Sequence, residues 1–123
     1  MTTDSARTGF AGALRALGGD RGLFREVAEI YLADAPLLLT RIDQAARDGD
    51  TGELVEAAHK FKGASGAFGA SPLFDLALEL ERLGRRKEQG PRLVTIAAAL
   101  ATAFVTFRQA LEEEMQRGDS HDG

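Results

Sequence analysis

Six apolar residues near the C-terminal end of the chain restrict its fold more than any other pattern in the sequence. They are spaced alternately four and three positions apart: Leu93, Ala97, Leu100, Phe104, Phe107 and Leu111. This spacing places all six on one face of an α-helix and predicts that the helix packs along a neighbour at a shallow angle. No apolar run approaches the length that crosses a bilayer, so we interpret the segment as a core helix and expect no membrane insertion.

Helix-capping signals divide the rest of the chain into further helices. Asp20 and Asp50 are the predicted N-caps of a second and a third helix, and an acid follows Asp50 at capping-box spacing. Gly69 is predicted to end the third helix. Ser71 is predicted to cap a fourth helix that has a proline at its first position. Pro36 predicts a kink or a local break inside the second helix.

These signals predict an all-α fold, because no segment shows the alternating pattern of a strand. We expect an antiparallel four-helix bundle with a short additional N-terminal helix from about Thr8 to Leu17. The bundle domain is expected at residues 8–117, between a flexible N-terminus at 1–7 and a disordered tail at 118–123. The buried stripe expected on the second helix consists of Leu23, Val27, Ile30 or Tyr31, Leu38, Ile42 and Ala45.

Composition narrows the class of protein. The chain has 123 residues, of which 44% are hydrophobic and 28% charged, as in a soluble protein of one domain. Disulfides and thiolate metal sites are excluded because there is no cysteine. A net charge of −4 argues against nucleic-acid binding. The polar first residues lack the apolar core of a signal peptide, and we expect a cytoplasmic protein.

His59 stands in a helical segment among residues that suit phosphate chemistry. Lys62 and Gly63 follow it by three and four positions and are therefore its neighbours one helical turn away. Because a glycine inside a helix costs about 1 kcal/mol relative to alanine, Gly63 and Gly66 suggest that access to the imidazole is needed there. Alternatively, Gly66 could allow this helix to pack closely against a neighbouring helix. Lys62 offers a cation for a phosphoryl group on the ring. Lys60 points away from His59 on an ideal helix. Its charge either adds to the positive electrostatic field around the ring or only increases solubility.

Glu81 is predicted to lie beside this histidine. The third and fourth helices should run antiparallel around Ala70, and His59 and Glu81 are each eleven positions from that turn. Both residues are then about 16 Å from the turn, at one level of the bundle. A carboxylate there could accept the proton of Nδ1 and leave Nε2 as the exposed nucleophile. Alternatively, Glu81 is a solvated helix charge.

The residues around His59 also resemble a known signature. From Ala58 to Ser65 the chain reads AHKFKGAS, and a glycine follows at position 69. This resembles the motif of histidine phosphotransfer domains, roughly A-H-x-L-K-G-x-S followed four positions later by glycine. The LALELE run at 76–81 resembles the fourth helix of that family, which often carries Glu or Gln facing the histidine. The resemblance covers about residues 10–113, with Phe61 for the usual leucine and Gly66 where a small or polar residue is common.

The resemblance implies a phosphoryl carrier of two-component signalling. His59 would be phosphorylated, Lys62 would contact the phosphate, Gly63 would give clearance and Glu81 would orient the ring. The phosphoryl group would come from a sensor kinase or a receiver-domain aspartate and pass to a response-regulator receiver. The protein would have no kinase activity, metal or cofactor of its own, because the Mg²⁺ and the catalytic acids belong to the receiver.

Two alternatives and a docking surface remain at this stage. A helical adaptor or kinase inhibitor would use the same bundle without needing His59, and a metal hydrolase would need more ligands than one such histidine. Receivers are expected to dock around His59 and Val55, and on part of the second helix. The candidate residues on that helix are Tyr31, Ala35, Leu38 and Leu39.

Two remaining features are interpreted as structural. Ser65 lies on the expected core face, and its hydroxyl is predicted to bond to the preceding helical turn. The basic run Arg85-Arg86-Lys87 is interpreted as part of a solvated loop.

Overall fold

The computed structural model describes the backbone of residues 2–122 and the side chains of residues 8–117. Five helices occupy this range, and no strand occurs in it: α1 (Thr2–Ala16), α2 (Arg21–Asp48), α3 (Thr51–Gly66), α4 (Ser71–Arg85) and α5 (Pro91–Asp122). Helix α3 packs between α2 and α4, and α5 closes the bundle by contacting both α2 and α4. Helix α1 lies against α5 and α2. The predicted fold class, a helical bundle with an additional N-terminal helix, is confirmed.

The capping predictions are correct for two helices and wrong for one. The side chain of Asp20 accepts a hydrogen bond from the backbone N–H of Leu23 at 3.0 Å, and Asp50 accepts one from Glu53 at 3.1 Å. Ser71 is not a cap, because it is the first residue of α4 and the cap position belongs to Ala70, which makes no side-chain bond. The following proline suits the first turn without help from a hydroxyl.

The helix boundaries differ from the prediction at several points. Helix α2 runs through Pro36 without a break, and a kink at this residue stays a prediction. Helix α1 begins at Thr2 rather than Thr8, and α5 continues as far as Asp122. Helix α3 ends at Gly66, three residues early, and the chain turns through Gly69 at φ +65°. The expected flexibility of residues 1–7 and 118–123 stays a prediction, and Met1 and Gly123 lie outside the described residues.

The bundle core agrees with the whole seam on α5 and with part of the stripe on α2, where Ile42, Ala45 and the alternative residue Tyr31 are buried. All six seam residues of α5 are buried. In the N-terminal half of α2 the buried face is turned by one residue, so that Phe24 and Tyr31 point inward while Leu23 and Ile30 are 40% and 63% exposed. Both stripes have helical spacing, and the structure selects the one that also contains small alanines, which let α3 and α5 approach closely.

Helix α5 corrects the prediction about apolar length. From Pro91 to Arg117 it is long and apolar enough to span a membrane by length and composition alone, because an 18-residue window within it has a mean hydropathy of 1.5. Its most apolar face, however, contributes Leu93, Leu100 and Leu111 to the core, where all three are fully buried. This face therefore packs against protein in the bundle, as in a core helix.

Candidate functional site

The α3–α4 hairpin brings His59 and Glu81 together. Gly84 allows this close pairing, because a Cβ at that position would lie 2.8 Å from Cγ2 of Val55. At the next turn of the hairpin, Nδ1 of His59 lies 3.1 Å from Oε2 of Glu81. The two residues are thus at one level of the bundle, as their equal distance from the turn predicts. The side chain of Glu81 is only 6% exposed, so the alternative that Glu81 is a solvated helix charge is wrong.

Glu81 lies at the centre of a cluster of positively charged side chains. Nζ of Lys62 is 2.8 Å from Oε1, and Nη2 of Arg85 donates a hydrogen bond to Oε2 at 2.8 Å. Arg85 and His59 therefore share one oxygen of the carboxylate. Arg85 therefore belongs to this cluster and is not the solvated loop residue that its basic run predicts. Its position one helical turn after Glu81 is the signal in the sequence that indicates the contact.

The cluster fixes the charge of Glu81. Burial alone would raise the pKa of this carboxyl, but contacts from Lys62, Arg85 and His59 lower it from an ordinary value of 4.5 to about 2. An ionised carboxylate can only accept hydrogen bonds. Nδ1 of His59 must therefore carry the proton in this contact, which leaves the lone pair of a neutral imidazole on Nε2.

The depressed pKa of Glu81 predicts a contribution to acid stability. A carboxyl whose pKa is lower in the folded protein stabilises it fully above pH 4.5, and this stabilisation disappears as the pH falls toward 2. The shift corresponds to about 3 kcal/mol. Glu81→Gln should remove this part of the acid dependence. Urea unfolding of both proteins at several pH values measures it, and parallel pH profiles for the two would contradict the prediction.

The other face of His59 is open. Its side chain is 62% exposed, and a Cβ built on Gly63 meets no atom within 4 Å. Gly66 differs, since a Cβ there would lie 3.4 Å from the ring of Phe74. This is an ordinary van der Waals distance, so the packing of α3 against α4 does not by itself require a glycine at position 66. Lys60 points away from the cluster and pairs with Glu56 at 3.2 Å.

Lys62 is held inside the hairpin. Its side chain is 18% exposed, and Nζ lies 5.8 Å from the centre of the Phe74 ring while contacting Glu81. The expected role as a phosphate contact therefore requires Lys62 to divide its charge between Glu81 and the phosphoryl group. Arg85 is 61% exposed and is therefore the more accessible of the two cations.

Ser65 and the docking candidates on α2 need correction. The Ser65 hydroxyl does not bond to the preceding turn but lies 2.8 Å from the hydroxyl of Tyr31. Burial raises the pKa of Tyr31 to about 12, against the opposing effect of that hydrogen bond. Tyr31 and Ala35 are buried core residues and cannot contact a partner. Leu38 and Leu39 are half-buried, as is Val55.

Two apolar side chains on α2 are more exposed than the predicted docking residues and were not among them. Ile30 is 63% and Leu37 is 66% exposed, and they lie on one face two turns apart. Arg41, one turn beyond Leu37, reaches Glu53 on α3 at 2.7 Å, so this flank of α2 borders α3. The side chain of His121, the second histidine, is not among those described. Within residues 8–117 no cluster of three or more potential ligands could hold a metal ion.

Comparisons with known proteins identify the family and the fold. The sequence model of a family described as Hpt domain matches residues 26–119. Among solved structures, the chain is similar to the histidine-containing phosphotransfer protein B (HptB) from Pseudomonas aeruginosa PAO1. The two share 25% sequence identity over 89% of this chain and 92% of that chain, with a TM-score of 0.78. A comparison with curated proteins gives no match.

Proposed function

The chain belongs to the Hpt domain family, the histidine phosphotransfer proteins of phosphorelays, and we propose that it carries its phosphoryl group on Nε2 of His59. One observation supports this choice of atom above all. Glu81, held ionised by its cationic neighbours, contacts Nδ1, while the imidazole is exposed toward solvent. A fixed tautomer with a free lone pair is what a histidine nucleophile requires.

The transfer step follows from this arrangement. The Nε2 lone pair attacks the phosphorus of an aspartyl phosphate on a receiver domain. The P–O bond to the aspartate breaks, and its electron pair stays on the receiver carboxylate. The imidazolium that results keeps its Nδ1 proton, which Glu81 stabilises. Passing the phosphoryl group to a second receiver reverses these steps.

The cations around Glu81 stabilise the product. Lys62 and Arg85 together carry one positive charge more than Glu81 neutralises, so the site has a surplus cation before the phosphoryl group arrives. A phosphoryl group with close to two negative charges can draw on both side chains through charge-assisted hydrogen bonds. Gly63 leaves the space through which the donor approaches.

Lys62→Ala should slow phosphoryl transfer without abolishing it. The variant keeps the nucleophile, the Glu81 contact and Arg85, and loses one of two cations. We expect a rate lower by about tenfold, as for one charge-assisted contact. Rapid-quench transfer from a phosphorylated receiver measures this. Lys60→Ala is the matched control, because Lys60 pairs with Glu56 outside the cluster. Equal rates for both variants would show that Lys62 acts only as a structural partner of Glu81.

The protein would act as a carrier whose partners supply most of the catalysis. Receiver domains and a sensor kinase are the expected partners, and the Mg²⁺ would be bound by the receiver. We expect this exchange in the cytoplasm. The receiver would dock over His59 and Gly63 on α3 and over the exposed Ile30 and Leu37 of α2, an apolar centre with a polar rim typical of transient interfaces.

Incubation with a phosphorylated receiver tests the proposal directly. The expected product is a label on this chain that is lost in acid and stable in base, as is typical of a phosphoramidate bond. Mass spectrometry should locate it on the peptide that contains His59. A folded protein that binds the receiver and acquires no label would instead indicate a non-catalytic adaptor.

A further inference from the structure

A groove between α4 and α5 lies outside the phosphoryl site. It encloses about 450 Å³ and is lined by Asp75, Leu76, Leu78, Glu79, Arg82, Leu83, Arg86 and Arg92. We refer to these residues as the α4–α5 groove. Its apolar part is formed by the leucines, of which Leu83 is fully packed and Leu76 and Leu78 are half-buried. Arginines border its C-terminal half, and acids border its N-terminal half.

The arginines of the groove stand out from the rest of this acidic chain. Residues 82–92 contain five cations and a single acid, although the whole chain has a net charge of −4. Arg92 makes only long contacts, 3.6 Å to Glu88 and 4.0 Å to Glu79. Within the part of the chain whose side chains are described, Arg82 and Arg86 form no ion pair and are exposed. Their charges are available to a ligand.

The groove and the phosphoryl site are on different sides of α4. Consecutive residues of a helix point about 100° apart. Arg85 turns toward Glu81 and the histidine, whereas Arg82 and Arg86 turn toward α5. The basic run that looks like a single loop in the sequence is therefore divided between two surfaces. A molecule in the groove would leave His59 exposed.

We propose that the α4–α5 groove binds an acidic, amphipathic helical segment of a partner protein. Arg82 and Arg86 are one helical turn apart, so they match carboxylates at the same spacing on a docked helix. The half-buried Leu76 and Leu78 would contact its apolar face, as in helix-in-groove recognition. The groove spans about 16 Å along α4, which is the length of three helical turns.

The charges at the two ends would orient the segment. Asp75 and Glu79 repel the acidic end of the docked helix, and the three arginines attract it. Such a site would tether the carrier to a partner independently of the phosphorylation state of His59.

A synthetic peptide tests this proposal on the intact protein. The probe has about three helical turns, with leucine along one face and glutamates one turn apart at one end only. Backbone amide shifts upon its addition should map to residues 75–86 and 92 and leave residues 59–63 unmoved. The double variant Arg82→Glu/Arg86→Glu should weaken binding by about tenfold or more, as expected from reversing two rim charges. His59→Gln should bind the peptide as tightly as the wild-type protein.

Matched controls separate the groove from general charge attraction. The variant Arg15→Glu reverses the charge of an exposed arginine on α1. Its affinity for the peptide should stay within about twofold of the wild-type value. A scrambled peptide of the same composition should bind weakly, because it has no apolar face. Equal affinity for the scrambled peptide or equal loss in Arg15→Glu would overturn the proposal. Displacement of the peptide by millimolar inorganic phosphate, with amide shifts at the same residues, would also overturn the proposal. The groove would then be a site for small anions.

Discussion

The protein with His59→Gln should accept no phosphoryl group from a receiver and should remain folded. The nucleophile is lost altogether, since an amide nitrogen has no available lone pair, so the expected label falls to background. Stability should change little because the imidazole is 62% exposed and takes no part in the core. Glu81 keeps its contacts with Lys62 and Arg85 in this variant.

The second histidine provides the control for this experiment. His121→Gln should carry the wild-type amount of label, because His59 is the only other histidine of the chain. Circular dichroism and thermal unfolding establish that both variants are folded. Wild-type labelling of a folded His59→Gln protein would disprove the assignment of the phosphoryl group to His59.

The sequence predicts most of the site because its geometry follows from helix periodicity. The level of Glu81 opposite His59 follows from the position of the α3–α4 turn, and a shift of the turn by one residue changes the offset between the two residues by only about 3 Å. Contacts that lie within one helix, such as that of Glu81 with Arg85, are equally regular. Arg85 stands in a run of three basic residues that is typical of a solvated loop, so the run by itself does not indicate the contact with Glu81.

The face of α2 could not be chosen from the sequence. Leu23-Val27-Ile30 and Phe24-Ala28-Tyr31 have the same spacing and neighbouring positions on the helix. The difference is tertiary: the hydroxyl of Tyr31 finds a buried partner in Ser65 on α3, and its ring packs on Phe68 and Phe104. Turning the helix by one residue would break that hydrogen bond. The same turn leaves Ile30 at the surface, which is why the docking face was also predicted incompletely.

Gly63→Leu should separate access to His59 from stability. A Cβ at this position meets no atom within 4 Å, so the leucine has room and the helix gains about 1 kcal/mol of intrinsic propensity. The side chain would nevertheless stand one helical turn from the imidazole, on the exposed side from which the phosphoryl donor must approach. Because in-line transfer tolerates little displacement of the reacting atoms, we expect the transfer rate to fall by about a hundredfold.

Gly12→Leu is the matched control for this loss of transfer. Gly12 is also a helical glycine with nothing within 4 Å of a built Cβ, but it lies on α1. Both variants should unfold at the wild-type temperature or above, and only Gly63→Leu should lose transfer. Amide shift mapping with an unphosphorylated receiver then separates two causes. If docking is blocked, the shifts that the wild-type protein shows around residues 55–66 disappear. If Gly63→Leu docks and transfers at the wild-type rate, the glycine does not serve access, and its cost to the helix must be explained by another constraint on α3.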